Sequence, residues 1–288
     1  MSGPLLVTDA PHLLYRAFFG LPDSITGAGG RPVNALLGSV NQTLWCVQRW
    51  HPRAVVMCFG AESATYRTDA YPPYHAHRPE MPGDLAHQWT QAPDLYRALG
   101  WHVVDSDAFE ADDEMGTLCE LEAEAGGTAL ILSGDRDMFQ CATQDVHVLL
   151  QQRGREGPEE LGPREVKARY GVTPRQVPDF IALRGDPSDG LPGAKGIGEK
   201  TAADLLQRHG DLETAIGAAL KEKPSVRKAL IGQADELRMF KDVATLRRIQ
   251  LKRPADALTD GTAGGDAAEA LGMRRLGERL RALASSPA

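Results

Sequence analysis

Five short apolar runs constrain the fold of this chain most: Leu5-Leu-Val-Thr, Ala54-Val-Val-Met-Cys-Phe, His102-Val-Val, Ala129-Leu-Ile-Leu and Val146-His-Val-Leu-Leu. Each is too short for a helix and too uniformly apolar for a strand with one wet face, so each reads as a strand buried on both faces. Helical patterns lie between them at 33–50, 84–99 and 110–125, the last stopped by Gly126-Gly127. Alternation of this kind predicts an α/β fold, a mostly parallel sheet flanked by helices. From about Gly162 the strand signals cease, and helices are expected over 163–170, 174–184, 199–208, 211–220, 224–231 and 233–245. The stretch 254–268, rich in Ala, Gly, Pro and Asp, reads as a linker before a short amphipathic helix near 268–284. The expected units are therefore 1–160 (α/β), 161–253 (all-helical) and 254–288.

Charge divides at the same boundary. The 288 residues carry 39 acids and 32 bases, a net −7 that taken alone argues against a nucleic-acid binder. Residues 1–160 hold 22 acids and 10 bases, whereas 161–253 hold 12 and 18, and no lysine precedes Lys167. The first residues lack the charged and apolar regions of a signal peptide, and no run of about 18 apolar residues marks a membrane span. Cys46, Cys58, Cys119 and Cys141 are scattered in apolar stretches, as expected of reduced thiols in a cytoplasmic protein.

Acids cluster where strands end. Asp9 follows the first strand, Glu110-Ala-Asp112-Asp113 opens a helix, Ser133-Gly-Asp135-Arg-Asp137 follows the fourth strand, and Gly185-Asp186-Pro-Ser-Asp189-Gly190 forms a turn. Each cluster alone is ordinary capping or turn chemistry. A parallel sheet, however, brings Asp9 and the Asp135/Asp137 pair to one carboxyl edge, where such folds place their sites. Carboxylates gathered there would repel one another unless cations neutralised them. Hard oxygen donors without His or Cys indicate Mg²⁺ or Mn²⁺ rather than zinc. Two such ions roughly 4 Å apart suit in-line attack of water on a phosphodiester.

The segment Gly190-Leu-Pro-Gly193-Ala-Lys195-Gly196-Ile-Gly198-Glu-Lys200-Thr-Ala-Ala lies in the basic part of the chain. Its glycines permit tight turns with exposed amides ahead of a helix near Glu199, an arrangement that binds phosphate. It has the pattern of a helix–hairpin–helix, which grips nucleic-acid backbone without reading sequence. A nucleotide-binding P-loop does not fit, since no strand precedes it and the spacing to Lys200-Thr201 is wrong. In the tail, Leu276, Leu280 and Leu283 share one helix face and are expected to pack back on the body.

Four segments, Leu5–Pro22 (LLVTDAPHLLYRAFFGLP), Phe109–Asp113 (FEADD), Ser133–Gln140 (SGDRDMFQ) and Gly185–Ala203 (GDPSDGLPGAKGIGEKTAA), resemble the 5′ nuclease or flap endonuclease family. That family includes the 5′ nuclease domain of bacterial DNA polymerase I and stand-alone bacterial 5′–3′ exonucleases. The resemblance implies a PIN-like α/β domain with a helical arch near 62–95, then a helix–three-turn–helix module. It also implies Mg²⁺- or Mn²⁺-dependent cleavage near DNA 5′ ends and flaps, in replication or repair. Asp9, Glu110, Asp112, Asp113, Asp135, Asp137, Asp186 and Asp189 match the family's metal-binding acids. Tyr15 and Arg16 match a substrate-side pair, and Gly193, Gly196 and Gly198 match the hairpin that often also holds K⁺. Lys195, Lys200 and Tyr74 join the expected DNA contacts. A monomer, with a polymerase as partner in trans, is the expected form.

Two positions depart from the family pattern: Gly60 stands where a metal-binding Asp belongs, and His75 replaces a lysine that contacts the scissile phosphate, while Arg78 matches. His75 and Arg78 are therefore the expected catalytic cations, with activity rising as pH falls or Mn²⁺ outperforming Mg²⁺. With His77, Tyr66, Arg67, Tyr71 and Tyr74 they form an aromatic–basic stretch suited to a single-stranded 5′ end. The alternatives are a catalytically weakened or inactive relative that binds branched or nicked DNA, and an RNA-cleaving nuclease of the PIN type.

Overall fold

The computed structural model describes residues 3–152 and 157–284; the outer ends of the expected first and last units, 1–2 and 285–288, lie outside these. Five parallel strands, β1 (Leu5–Asp9), β2 (Ala54–Cys58), β3 (His102–Val104), β4 (Ala129–Ser133) and β5 (Val146–Leu150), form the sheet. A sixth, β6 (Glu159–Leu161), pairs antiparallel with β5, giving the order β3-β2-β1-β4-β5-β6. The chain thus builds outward from β1 to β3, then returns to the other side of β1 for β4. The carboxyl ends of β1 and β4 flank this reversal, the crevice where open α/β sheets bind ligands.

Alternate strand residues feed two cores, as a sheet covered on both faces requires. Leu6, Val55, Met57, Leu130, Leu132 and Leu149 face α1 (Ala10–Gly20), α2 (Asn34–Trp50) and α4 (Gly83–Ala98). Leu5, Val7, Val56, Cys58, Ile131 and Val148 share the opposite core with α5 (Ala111–Glu124) and the helical module. That module comprises α6 (Pro163–Tyr170), α7 (Val177–Arg184), α8 (Glu199–His209), α9 (Leu212–Gly217), α10 (Pro224–Gly232) and α11 (Ala234–Ala244). Phe139 beyond β4, Phe180 of α7 and Phe240 of α11 belong to one apolar cluster, so the core runs on from the sheet into the helices.

The structure differs from the sequence reading in four elements, the first being the antiparallel β6, which no apolar run announced. Helix α1, capped by the Asp9 side chain with proline in its first turn, occupies residues given no element before. A short α3 (Thr65–Ala70) stands at the base of the arch. The stretch 254–268 is no linker: Gly261–Ala270 is a helix, α12, that packs on α13 (Arg274–Ala284) and α4. Small residues allow this approach, with Gly264 against Leu99 and Gly265 against the Gly277 carbonyl. Leu276 and Leu280 are buried as expected, whereas Leu283 remains exposed. Arg53 ties the preceding segment down, pairing with Glu122 and Asp256 and donating to the Pro254 carbonyl.

Candidate active site at the carboxyl edge of the sheet

A cleft of about 880 Å³ opens over the β1/β4 crevice. Asp9, Glu110, Asp112, Asp135 and Asp186 line its floor, with Arg78, Arg136 and Arg184 also on its wall. Asp9 is fixed from both sides: Oδ1 accepts from the His12 amide (2.9 Å) and Oδ2 from Ser133 Oγ (2.7 Å). Ser133 Oγ in turn accepts from the Asp135 amide (3.0 Å), and Asp135 Oδ1 accepts from the Asp137 amide (2.9 Å). Asp186 is held by Arg184 Nη2 at 3.0 Å, the Ser188 amide and the Ser188 hydroxyl.

Crowding of these acids shows in their proton affinities. Burial, with Asp189, Asp9 and Asp186 nearby, pushes Asp135 up to about 7 against the lowering effect of the Asp137 amide. Burial and then the Asp135 and Asp9 charges push Asp112 well above the carboxylate range, and Asp137 is raised in the same sense. Asp137 Oδ1 is buried without a hydrogen-bond partner. Among the described residues no three acid, His or Cys side chains form a ready-made cluster. The donors are nonetheless all carboxylate oxygens with unmet electrostatic demand, which fits hard divalent ions that retain much of their water.

Several expected site residues lie elsewhere. Asp113 is fully buried, taken up by Arg67 Nη1 and Nη2 (3.0 and 3.1 Å), the Tyr66 hydroxyl (3.0 Å) and the Arg247 amide (2.7 Å). It anchors the arch and the segment after α11 to α5 and does not line the cleft. Tyr74 is likewise buried, donating to Glu110 Oε2 (3.1 Å), while Glu110 Oε1 is engaged by the Ala64 amide and Arg67. Tyr66 and Arg67, read as surface groups facing a strand, are thus internal ties.

His75 is the sharpest correction. Its side chain is only 3% exposed; Nε2 meets Asp189 Oδ1 at 3.1 Å and Nδ1 meets Ser63 Oγ at 2.9 Å. The ring also stacks on Tyr74 at 3.8 Å. It joins the arch to the 185–191 turn and does not line the cleft, so the expected rise of activity at low pH loses its basis. Asp189 is accordingly an arch contact. Of the arch cations read from the sequence only Arg78 reaches the cleft, held by the Glu62 carbonyl at 3.3 Å.

Arg16 points away, donating to the Gln152 carbonyl (2.8 Å) in a separate depression beside Trp45, whereas Tyr15 does line the cleft. In the hairpin Gly193 is buried against Gly185, where a Cβ would meet the Gly185 amide nitrogen at 2.3 Å. Gly196, Gly198, Lys195 and Lys200 are exposed at the start of α8, as a backbone grip requires.

Gly60 is more than a missing acid. Its φ is +60° and it bridges Glu110, so a Cβ would lie 2.2 Å from the Ala111 nitrogen. The backbone has closed over the position a side chain would need. Sequence reasoning overlooked His12, whose ring packs against Gly134 at the cleft edge and whose pKa burial lowers. It also passed over Arg136 and Arg184, which flank the acids in sequence and carried that signal.

Known proteins match this architecture along its length. The family model for the 5′-3′ exonuclease N-terminal resolvase-like domain covers residues 4–171, and that for the 5′-3′ exonuclease C-terminal SAM fold covers 172–260. A 5′-3′ exonuclease of Mycobacterium tuberculosis is 37% identical over 250 residues, spanning 80% of this chain and 78% of that protein. The thermostable DNA polymerase I of Thermus thermophilus is 36% identical over 247 residues, 85% of this chain but 29% of the polymerase. In fold, the T5 5′-exonuclease with bound zinc superimposes at a TM-score of 0.69 and 17% identity, covering 98% of this chain and all of that one. The catalytic core of Rad2 with a DNA substrate gives 0.67 at 12% identity, covering 99% and 93%. With both halves matched in order, and a relative 37% identical over most of both chains, the chain belongs to the 5′-3′ exonuclease family.

Proposed function

We propose that this chain hydrolyses DNA phosphodiesters at and near 5′ ends, as an exonuclease and on 5′ flaps. The observation that carries this reading is the convergence of Asp9, Asp112, Asp135 and Asp186 on one cleft at the reversal of strand order. These four, with Glu110 beside them and Asp137 behind, are the groups we assign to hold Mg²⁺ or Mn²⁺. Bound there, the ions would polarise the scissile phosphate and lower the pKa of the attacking water.

The chain's own residues do the rest. Ser133 and the His12 amide hold Asp9, and the Asp137 amide holds Asp135, so two acids keep fixed orientation across the β1/β4 crevice. Arg78, Arg136 and Arg184 supply permanent positive charge to a phosphate entering the cleft. The exposed amides at Gly196 and Gly198, with Lys195 and Lys200, grip duplex backbone, and we place the K⁺ of this family there. A monomer in the cytoplasm, with a polymerase in trans, completes the reading.

A 5′-labelled flap and a 5′-recessed duplex, each with Mg²⁺ or Mn²⁺, test it. Cleavage by the native chain and its loss in Asp135→Asn is the expected result. Tight binding without cleavage under either ion would instead establish the non-catalytic reading that Gly60 and His75 suggest.

A further inference from the structure

The cleft has two unlike sides. Its floor is carboxylate, whereas an apolar side is made by Tyr15 and Phe19 of α1, Trp89 of α4, Phe59 just after β2 and Met81 just before α4. Phe19 is 71% exposed, the most exposed phenylalanine or tryptophan among the described residues. A solitary exposed apolar side chain is ordinary, but this ring is built into a row. It lies at 29° to Tyr15 with centroids 6.3 Å apart and is propped edge-on by Phe18 at 5.2 Å. Tyr15 meets Trp89 edge-on at 6.3 Å, and Trp89 meets the buried Phe59 at 5.5 Å. The row therefore runs from the core out to one open aromatic face.

Its position relative to the acids is set by one helix. Asp9 caps α1, and Tyr15 and Phe19 follow on the same face one turn apart. A helical turn rises about 5.4 Å, longer than the roughly 3.4 Å between stacked nucleotides of one duplex strand. Successive rings at that interval suit bases that have left the stack, and every base offers an aromatic face.

We infer that Phe19 is a stacking platform for a base of the unpaired 5′ strand, one helical turn farther from the cleavage point than Tyr15. The occupant is a nucleobase because the wall is continuous with the acid floor that takes the phosphate, and the cations at the cleft serve the backbone between them. The inference rests on the nuclease reading above and deepens it: it predicts that the enzyme senses whether a base is present at one defined position of the 5′ strand.

The test compares the native chain with Phe19→Ala and Phe19→Trp on 5′-flap DNA, intact or abasic at one unpaired position at a time. Phe19→Ala should raise KM on intact DNA by about 5- to 100-fold with little change in kcat. Phe19→Trp should remain near native, and one abasic position should bring native and Phe19→Ala to the same KM. A second readout needs no cleavage: 2-aminopurine placed at that position, with Ca²⁺ replacing Mg²⁺, should change fluorescence on binding to the native chain and not to Phe19→Ala. Unchanged KM in Phe19→Ala, or a defect equally large at every abasic position, overturns the inference. If the native chain binds but does not cut, the nuclease reading fails while the fluorescence still decides the platform.

Discussion

Arg67→Met separates two roles for Asp113. Arg67 is 3% exposed; its guanidinium grips Asp113 with two nitrogens, reaches Glu110 Oε1 at 3.0 Å and donates from Nε to the Val243 carbonyl at 3.0 Å. Methionine preserves much of the stem volume but strands the wholly buried Asp113 with the Tyr66 hydroxyl, the Arg247 amide and, at 3.4 Å, the Glu110 amide, none of them a cation. Removing one partner of a buried pair costs roughly 3–5 kcal/mol, because the surviving charge keeps its desolvation penalty. At about 2–4 °C per kcal/mol, Tm should fall by roughly 6–20 °C. Urea melts of Arg67→Met, Asp113→Asn and the double variant, without divalent metal, form a cycle. The double variant should be more stable than Arg67→Met, since asparagine removes the stranded charge. Cleavage titrated with Mg²⁺ supplies the contrast: Asp113→Asn should leave the half-saturating metal concentration near native, whereas Asp112→Asn should raise it. An Arg67→Met loss below about 1 kcal/mol would refute the anchoring role. So would an Asp113→Asn variant of native stability that needs much more Mg²⁺.

Three further outcomes follow from particular contacts. Gly60→Asp should lower Tm and reduce cleavage instead of restoring a ligand, because a Cβ at φ +60° displaces the Glu110–Ala111 backbone that starts α5; Tm and turnover at saturating Mg²⁺ check this. Glu114 is buried, and burial raises it to about 8 from 4.5, so its contribution is complete below pH 4.5 and is lost as pH rises through about 8. Relative to Glu114→Gln, the native chain should lose roughly 3 kcal/mol between pH 4.5 and 7, and a flat difference between the two urea-melt profiles would exclude it. Arg53→Met should cost roughly 3–5 kcal/mol and speed proteolysis around 254–260, since it removes that segment's ties at Pro254 and Asp256 and leaves buried Glu122 with Arg253 alone.

Strand positions and the acid edge were legible because both depend on local pattern: period, a strand's end, the first turn of a helix. Asp9 and Asp135 were placed correctly by that logic alone. What it missed depends on partners far along the chain. Nothing near Asp113 announces Arg67, 46 residues away, and nothing near His75 announces Asp189, 114 residues away. Asp112 and Asp113, adjacent on α5, therefore looked alike, although the helix turns Asp112 to the cleft and Asp113 into the core. Gly193 read as an exposed hairpin glycine because a turn and a close backbone approach demand the same residue. The segment 254–268 read as a linker because helix α12 owes its stability to packing on α4 and α13, and its Gly- and Ala-rich sequence has little amphipathic signature.

The absence of lysine before Lys167 has a physical reading once the partners are known. Arg53 and Arg67 are both buried, and each uses the whole guanidinium fork: Arg53 on Glu122, Asp256 and a carbonyl, Arg67 on Asp113, Glu110 and a carbonyl. A lysine has one nitrogen for these several acceptors and surrenders its charge when desolvated, whereas arginine stays charged. At the cleft the same chemistry holds, with Arg184 bonded to Asp186 and Arg78 placed between the Glu62 carbonyl and Asp189. The acid excess of the first half is therefore met by arginines in fixed geometry and, at the floor, by the divalent ions we assign there. A phosphate-contacting lysine at position 75 would stand against Asp189 in the pocket that His75 fills, so restoring it requires the arch to open away from the 185–191 turn.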